Sequence, residues 1–263
     1  MPPPDLEIRP TIDRDWLEAR VRDEPFLHAY ALWDLERAPD QVRFVSAVRH
    51  GDTVGYLLLW LGRPDYVVVH WYGTGDFEAA LADHLPPRPY VAVLPPDVLS
   101  RLEARLGSPP RYPLLLMERP GGGPVPGTEG VRRLTGRDRT ALVEWSQRFT
   151  NSEVRDYPHM DPQTDAVWGA FSERGKLVGA CRATVRLPRA WLLGGVFVEP
   201  EARSHGVGER MVAAAIREAE AARVRLGLFV REDHPVPVRL YARLGFRPVT
   251  RRLLVDAGGG VEP

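Results

Sequence analysis

A short segment rich in glycine and proline divides this sequence into two parts of similar length. Pro120 is followed by three consecutive glycines, and two more prolines precede Gly127, with no apolar periodicity between them. Such a composition is typical of a linker between compact units. The 263 residues suffice for one large domain or for two of ordinary size. We therefore predict a first domain over residues 1–119, a linker over 120–127 and a second domain over 128–263.

The pattern of apolar residues predicts the same order of elements on both sides of this linker: a helical segment, a run of strands, a helix, a strand and another helix. In the first part we expect helices at 12–37, 76–84 and 97–106, and strands at 42–48, 53–61, 66–71 and 90–94. In the second part we expect helices at 138–149, 208–222 and 236–243, and strands at 167–172, 176–186, 190–198, 224–230 and 247–254. The repeated order indicates an old duplication.

The composition limits which classes of partner the protein can bind and which cellular compartment suits it. The 35 basic side chains balance 35 acidic ones, so the chain has no net charge to attract nucleic acid or an anionic membrane. The longest apolar run, Val54–Leu61, is far shorter than the roughly 20 residues of a membrane-spanning helix. The start, Met1–Asp5, does not resemble a signal peptide. A single cysteine, Cys181, excludes an intrachain disulfide framework and a zinc site built from several thiolates. We expect a cytoplasmic protein with neither a nucleic-acid nor a membrane partner.

A glycine-containing turn joins a predicted strand to a helix in the second part. The strand ends in Val198, and Arg203-x-x-Gly206-x-Gly208 precedes a helix whose apolar side chains lie on one face. Such a turn presents backbone N–H groups and the positive end of the helix dipole, which suits a pyrophosphate. Taken alone the motif is weak, and an ordinary tight turn explains it equally well.

Two further motifs accompany this turn in a fixed order. The strand before it ends in Val196-x-Val198-x-Pro200, and a late segment reads Leu240-Tyr241-x-x-Leu-Gly-Phe. With these three motifs, residues 191–250 resemble the core of the GNAT superfamily of acyl-CoA-dependent N-acyltransferases. The resemblance implies an α/β fold of the mixed-sheet kind, with two GNAT-like domains that each have a central, mostly antiparallel sheet flanked by helices.

The resemblance also implies an acetyl-CoA site in the second part. The backbone of the strand end would pair with the pantetheine arm, and the N–H groups from Ser204 to Gly208 would bind the pyrophosphate. Gly194 and Gly195 would mark a bulge where two strands separate to admit the thioester, and close packing against a neighbouring element is the alternative. The residues implied in binding the cofactor are Val196, Phe197, Val198, Arg203, Ser204, His205, Gly206, Val207, Gly208, Glu209 and His234.

Tyr241 matches the tyrosine that many GNAT enzymes use as a general acid toward the departing thiolate. The ordinary pKa of a phenol, near 10, lies above that of a thiol, so the side chain keeps its proton at neutral pH. A tyrosine at this position could also be a core residue. The sequence departs from the family at His234, where an asparagine is common seven residues before the tyrosine.

No general base follows from the motifs. The strand positions Leu192–Gly194, where some members have a carboxylate, are apolar. Glu199 is the nearest carboxylate, and water is the alternative proton acceptor. The acidic segment Asn151–Asp161 lies where the family places its acceptor-lining residues, which favours a cationic amine. We expect no metal, because the histidines lack ligand spacing, and we expect Cys181 to be a small buried residue.

The first part lacks the phosphate-binding motif. Tyr72-Gly-Thr-Gly-Asp76 follows its third predicted strand in place of Arg-x-x-Gly-x-Gly, so we predict a degenerate GNAT-like half that shapes the acceptor pocket or an interface. The predicted function is transfer of an acetyl group from acetyl-CoA to a small-molecule or peptide amine in a ternary complex, by a monomer or homodimer. A non-catalytic acyl-CoA sensor and, less favoured, a Rossmann nucleotide binder are the alternatives.

Overall fold

The computed structural model describes residues 5–87, 89–107, 109–151 and 153–258. The first four residues, which entered the signal-peptide argument, lie outside this range, as does Ser152 of the acidic segment. The described residues form twelve strands and seven α-helices. In the first half these are β1 (Leu6–Arg9), α1 (Arg14–Asp23), α2 (Ala29–Arg37), β2 (Val42–Arg49), β3 (Asp52–Trp60), β4 (Val67–Tyr72), α3 (Glu78–Ala82), β5 (Tyr90–Leu94), α4 (Pro96–Leu106) and β6 (Arg111–Arg119). In the second half they are β7 (Val131–Arg133), α5 (Arg139–Ser146), β8 (Val167–Phe171), β9 (Leu177–Arg186), β10 (Ala190–Val198), α6 (Val207–Ala221), β11 (Arg225–Arg231), α7 (Pro235–Arg243) and β12 (Arg247–Ala257).

Most predicted elements are present, and the differences have local causes. The helix predicted over 12–37 is two helices. Helix α1 ends at Asp23, the N–H of its C-cap Glu24 donates to the Arg20 carbonyl at 2.7 Å, and Pro25 follows with no N–H of its own. The helix predicted over 76–84 is confined to the short α3. Strands β1, β6 and β7 were not predicted from the sequence. Of these, β6 matters most for the architecture.

All twelve strands belong to one sheet, in the order β1-β2-β3-β4-β5-β12-β6-β11-β10-β9-β8-β7. The pairs β4·β5 and β10·β11 are parallel, and the other pairs within the described residues are antiparallel. The predicted α/β class with a mixed, mostly antiparallel sheet is confirmed. This order excludes the doubly wound parallel sheet of a Rossmann nucleotide binder.

Each half contributes its last strand to the sheet of the other half. Strand β6 pairs with β11 of the second half, from Leu114 opposite Arg231 to Arg119 opposite Leu226. Strand β12 pairs in turn with β5 of the first half and with β6. Because the two exchanged strands also pair with each other, the halves share a continuous hydrogen-bonded sheet.

The apolar core follows this exchange. One buried cluster lies under α6, mostly in the second half, and another lies mostly in the first half. Each also contains residues of the strand that the other half contributes. A third contains Leu17 of α1, Leu116 of β6 and Leu192 of β10, so it belongs to both halves. Helix α2 lies against β9 and β10, and its Tyr30 hydroxyl is 3.1 Å from the Thr184 hydroxyl. A first-half helix therefore covers part of the second half of the sheet.

Leu116→Ala is expected to lower the free energy of unfolding by about 2–5 kcal/mol, because it leaves a cavity in the core that joins the halves. Urea denaturation followed by circular dichroism should show one transition that shifts as a whole. Val249→Ala is the matched control, since Val249 is 51% exposed, and it should change stability by less than about 0.5 kcal/mol. Two separate transitions, of which one alone shifts, would contradict the shared core.

Candidate functional site

Strands β10 and β11 separate halfway along their length. Their parallel pairing runs from Ala190–Leu193 opposite Arg225–Leu228 and then ends. Beyond this point β11 stays paired with β6, and β10 stays paired with β9. The edge of β10 from Gly194 to Val198 that faces β11 therefore has no strand paired to it among the described residues. An extended ligand can use the backbone groups of such an edge.

Gly194 and Gly195 produce this separation. The register of β10 against β9 shifts between Gly194 and Phe197, so the predicted bulge is present. Gly195 has a φ of +58°, and a Cβ there would lie 3.0 Å from the Glu153 carbonyl oxygen and 3.1 Å from the Tyr157 hydroxyl. The buried Tyr157 hydroxyl donates to the Gly195 carbonyl at 2.5 Å. A side chain at position 195 would thus be strained and would push away the residue that holds the bulge.

The loop after β10 is folded by its own side chains. Arg203 Nε donates to the Val198 carbonyl at 3.0 Å, which ties the loop to the end of the strand. Ser204 and Gly206 have φ values of +65° and +70°. Gly206 is the N-cap of the fifteen-residue α6 and provides no side-chain cap. The first N–H groups of a long helix, with its dipole, are consequently left for an anionic ligand.

A groove of about 680 Å³ runs along this loop and the free edge of β10. We call it the α6 groove. Most residues that the resemblance implied in cofactor binding line it, together with Tyr241: Val196, Phe197, Val198, Arg203, Ser204, Gly206, Val207, Gly208 and Glu209. Two implied residues are absent from its lining. His205 is exposed, with Nδ1 2.6 Å from the Arg203 carbonyl oxygen, and His234 lines a neighbouring cavity.

That neighbouring cavity, here the bulge cavity, has a volume of about 320 Å³ and is lined by Gly194, Gly195 and Phe229. It shares Glu153 and Tyr241 with the α6 groove. The strand separation thus connects the region of the glycine bulge with the region of the phosphate-type loop. A ligand lying in the groove would have its end at the bulge.

Tyr241 stands at the junction of the two spaces. It is 6% exposed, and its ring packs edge-on against Phe246 with centroids 5.8 Å apart. Burial raises the pKa of the Tyr241 phenol above its ordinary value, and the neighbouring Cys181 and Glu153 raise it further. The phenol therefore keeps its proton at neutral pH and can act as a hydrogen-bond or proton donor to an anion that forms beside it.

Cys181 and Glu199 are buried and lie outside both spaces. Cys181 is fully buried, burial raises the pKa of its thiol, and its Sγ lies 3.7 Å from the Met211 carbonyl oxygen. Glu199 is also buried, with Arg148 Nη2 at 2.9 Å and Lys176 Nζ at 3.7 Å from its carboxylate. Neither residue lines the α6 groove or the bulge cavity. The carboxylate that lines both spaces is Glu153.

The residues of the acidic segment 151–161, which was predicted to line the acceptor site, make different contacts. Asn151 and Glu153 line the groove and the bulge cavity. Tyr157 holds the bulge, a function that sequence reasoning missed, although a tyrosine in an otherwise polar loop could have indicated a buried position. Asp156 binds Arg63 of the first half and Arg182 of β9. The segment thus reaches both the reaction region and the boundary between the halves.

The corresponding place in the first half is filled by its own chain. The turn Gly73–Gly75 follows β4, and the buried ring of Phe77 lies about where side chains on those glycines would go, 3.0 Å from a Cβ at either position. The sequence shows that the motif is missing, but it does not single out Phe77.

No helix in the described part of the chain is long and apolar enough to span a membrane. Among the described residues, no group of three or more His, Cys, Asp or Glu side chains could hold a metal ion.

Comparisons with known proteins agree with this geometry. The Acetyltransferase (GNAT) family matches residues 133–246, which run from β7 to the residue before β12. No curated protein matches the sequence.

Solved structures match nearly the whole chain. A protein from Drosophila has a TM-score of 0.70 at 15% identity, covering 96% of this chain and 98% of its own. A GCN5-related N-acetyltransferase from Sphaerobacter thermophilus has a TM-score of 0.66 at 19% identity, covering 97% and 96%. A tandem GNAT protein from the clavulanic acid biosynthesis pathway has a TM-score of 0.59 at 19% identity, covering 96% and 99%. The chain thus has the fold of a tandem GNAT protein, and residues 133–246 in its second half match the Acetyltransferase (GNAT) family.

Proposed function

We propose that this protein transfers an acetyl group from acetyl-CoA to a primary amine in a ternary complex, with the second half as the catalytic unit. The observation that supports this most directly is the junction of three features in connected spaces: the free edge of β10, the uncapped start of α6 and the buried Tyr241. In this proposal residues 128–263 are the catalytic domain, residues 1–119 are a degenerate half and 120–127 join them.

The α6 groove would hold the cofactor along its length. The backbone of Val196 and Val198 would pair with the pantetheine amides, because β11 leaves that edge of β10 free. The N–H groups of Ser204 to Gly208 would bind the pyrophosphate at the α6 N-terminus. Arg203 acts on the loop rather than on the ligand, since its Nε is bound to the Val198 carbonyl. The thioester would then lie at the bulge, where a strand N–H stabilises the oxyanion.

The chemistry follows from the groups beside the bulge. The amine nitrogen attacks the thioester carbonyl carbon, a C–N bond forms, and the C–S bond breaks as electrons return to the carbonyl. Tyr241 donates its proton to the departing thiolate. The extra proton on the amine passes to Glu153, either directly or through water. Glu153 replaces the earlier candidate Glu199, which is buried between Arg148 and Lys176.

Gly206→Leu is expected to weaken acetyl-CoA binding by about tenfold or more. A side chain at φ +70° costs about 1–2 kcal/mol and deforms the loop that binds the pyrophosphate. The matched control is Gly175→Leu, because Gly175 has a φ of +74° in a turn with no atom within 4 Å of an added Cβ. Calorimetric titration with acetyl-CoA measures both variants. Equal affinities in the two variants would remove the loop from the cofactor site.

Tyr241→Phe is expected to lower kcat about 100-fold or more while it changes the Kd for acetyl-CoA less than about threefold, since only proton donation is lost. Tyr90→Phe, in the first half, is the matched control and should leave both constants unchanged. Release of CoA with a panel of amines gives the rate, and calorimetry gives the Kd. An unchanged rate would exclude Tyr241 as the acid. Tight acetyl-CoA binding with no turnover of any amine would instead indicate an acyl-CoA sensor.

A further inference from the structure

A third cavity lies between the two halves, next to the bulge cavity. It has a volume of about 440 Å³, and we call it the chamber. Leu114 and Phe229 line both the chamber and the bulge cavity, so these two side chains form their common wall. Much of the remaining chamber wall is aromatic and comes from the first half: Tyr30, Trp33, Trp60, Tyr66 and His70. Such a wall accommodates an apolar chain and an organic cation.

One carboxylate in the chamber lacks a counter-ion. Asp34 lies one turn after Tyr30 on α2, and its carboxylate has no hydrogen-bond or ion-pair partner among the described residues. Burial raises the pKa of this carboxyl to about 7. Asp34 is half-buried, and carboxylates withdrawn from water are ordinarily paired because desolvation of an unpaired charge is costly. An unpaired one that faces a cavity indicates a ligand with a cationic group.

The other side of the chamber has an excess of positive charge. Arg63 of the first half and Arg182 of β9 both bind the single carboxylate of Asp156, and all three residues line the chamber. Two guanidinium groups on one carboxylate leave a net charge of +1. With Asp34 ionised the chamber as a whole is neutral, but its charges are separated into an anionic site and a cationic site.

Arg182 also connects the cationic site with the reaction region. It is the cross-strand partner of Gly194, and its Nε lies 3.2 Å from the position of a Cβ on Gly195. The cationic site is thus directly beside the glycine bulge, behind Leu114 and Phe229. The chamber and the bulge cavity are therefore neighbours, with Leu114 and Phe229 between them.

We propose that the acceptor is a diamino acid whose zwitterionic end occupies the chamber. Its α-ammonium pairs with Asp34, its α-carboxylate pairs with Arg63 and Arg182, and its alkyl chain leads past Phe229 to the bulge cavity. There the distal amine is acetylated. A zwitterionic end preserves the neutrality of the chamber, whereas a second amine alone or a carboxylate alone would leave one of its two charged sites unmatched. This assignment rests on the proposed acetyl transfer and names its acceptor class.

Three probes of equal chain length test the assignment: lysine, cadaverine, which lacks the carboxylate, and ε-aminocaproate, which lacks the α-amine. Calorimetry on the full chain saturated with CoA should show lysine binding at least about tenfold more tightly than either analogue. With acetyl-CoA, mass spectrometry should locate the acetyl group on the distal nitrogen of lysine. Cadaverine or aminocaproate binding as tightly as lysine would overturn the corresponding half of the site.

Two substitutions test which residue binds the α-ammonium of lysine and which binds its α-carboxylate. Asp34→Asn should reduce lysine affinity to that of ε-aminocaproate and leave aminocaproate binding unchanged. Arg63→Gln should reduce lysine affinity to that of cadaverine, while Arg182 keeps its pairing with Asp156. The matched controls are Asp40→Asn and Arg43→Gln, at exposed positions outside the chamber. Both should bind lysine as the unchanged protein does, and thermal melting of all four variants identifies any loss of folding.

Lysine affinity should also rise between about pH 6 and about pH 8, because Asp34 gains its charge over this range and only its ionised form pairs with an ammonium. The other charged or titratable side chains that line the chamber are those of Arg63, Arg182, Asp156, Tyr66, His70 and Tyr30. Burial lowers the pKa of His70 to about 4 and raises the pKa of Tyr30 above its ordinary value, so neither side chain changes charge over this range. In Asp34→Asn the rise should be absent, and its persistence would contradict the role of Asp34.

The outcomes separate this assignment from the proposed function. Selective lysine binding without any acetyl transfer would support the chamber and overturn the catalytic proposal. Acetyl transfer to other amines, with no binding of lysine or of its shorter homologue ornithine, would support the catalytic proposal and overturn the assignment of the chamber. Absence of both acetyl-CoA binding and lysine binding would overturn both.

Discussion

Hydrogen bonding of β6 to β11 is the interaction on which the other features of this structure depend. From Leu226 to Arg231, β11 is satisfied by β6, a strand of the other half. It can therefore leave β10 after four residue pairs without exposing an unpaired edge on both sides. The free edge of β10, and with it the α6 groove, follows from this partnership. The same exchange joins the halves closely enough to enclose the chamber between them.

The site is assembled by contacts that hold backbone rather than by a cluster of polar side chains. Tyr157 holds the carbonyl of Gly195, and Arg203 holds the carbonyl of Val198. Together they shape a strand end and a loop whose N–H groups are available to a ligand. Tyr241 lies buried beside them, and burial raises the pKa of its phenol. Backbone held in this way can present N–H groups to an anionic ligand.

Much of this could be predicted from residue patterns, and the misses share one cause. The periodicity of the second half located β10, α6, β11 and α7 within about one residue at most ends, and local motifs indicated the loop and Tyr241. Strand β6 was missed because its nine residues, with Pro113 inside, precede the linker and have no partner nearby in the chain. Phe77, Tyr157 and Asp34 were not assigned their roles because each depends on a neighbour that is distant in sequence.

The sequence alone determined most of the elements, the glycine bulge, the loop before α6 and the resemblance of the second half to the GNAT family, because these depend on residues close together in the chain. The tertiary structure decided the strand exchange, the partner of Glu199, and which carboxylates face which cavity. Those outcomes depend on contacts between residues far apart, such as Arg63 with Asp156 and Tyr30 with Thr184. The local pattern of apolar residues specifies which face of a helix or strand is buried. Only tertiary packing specifies which other element that face contacts.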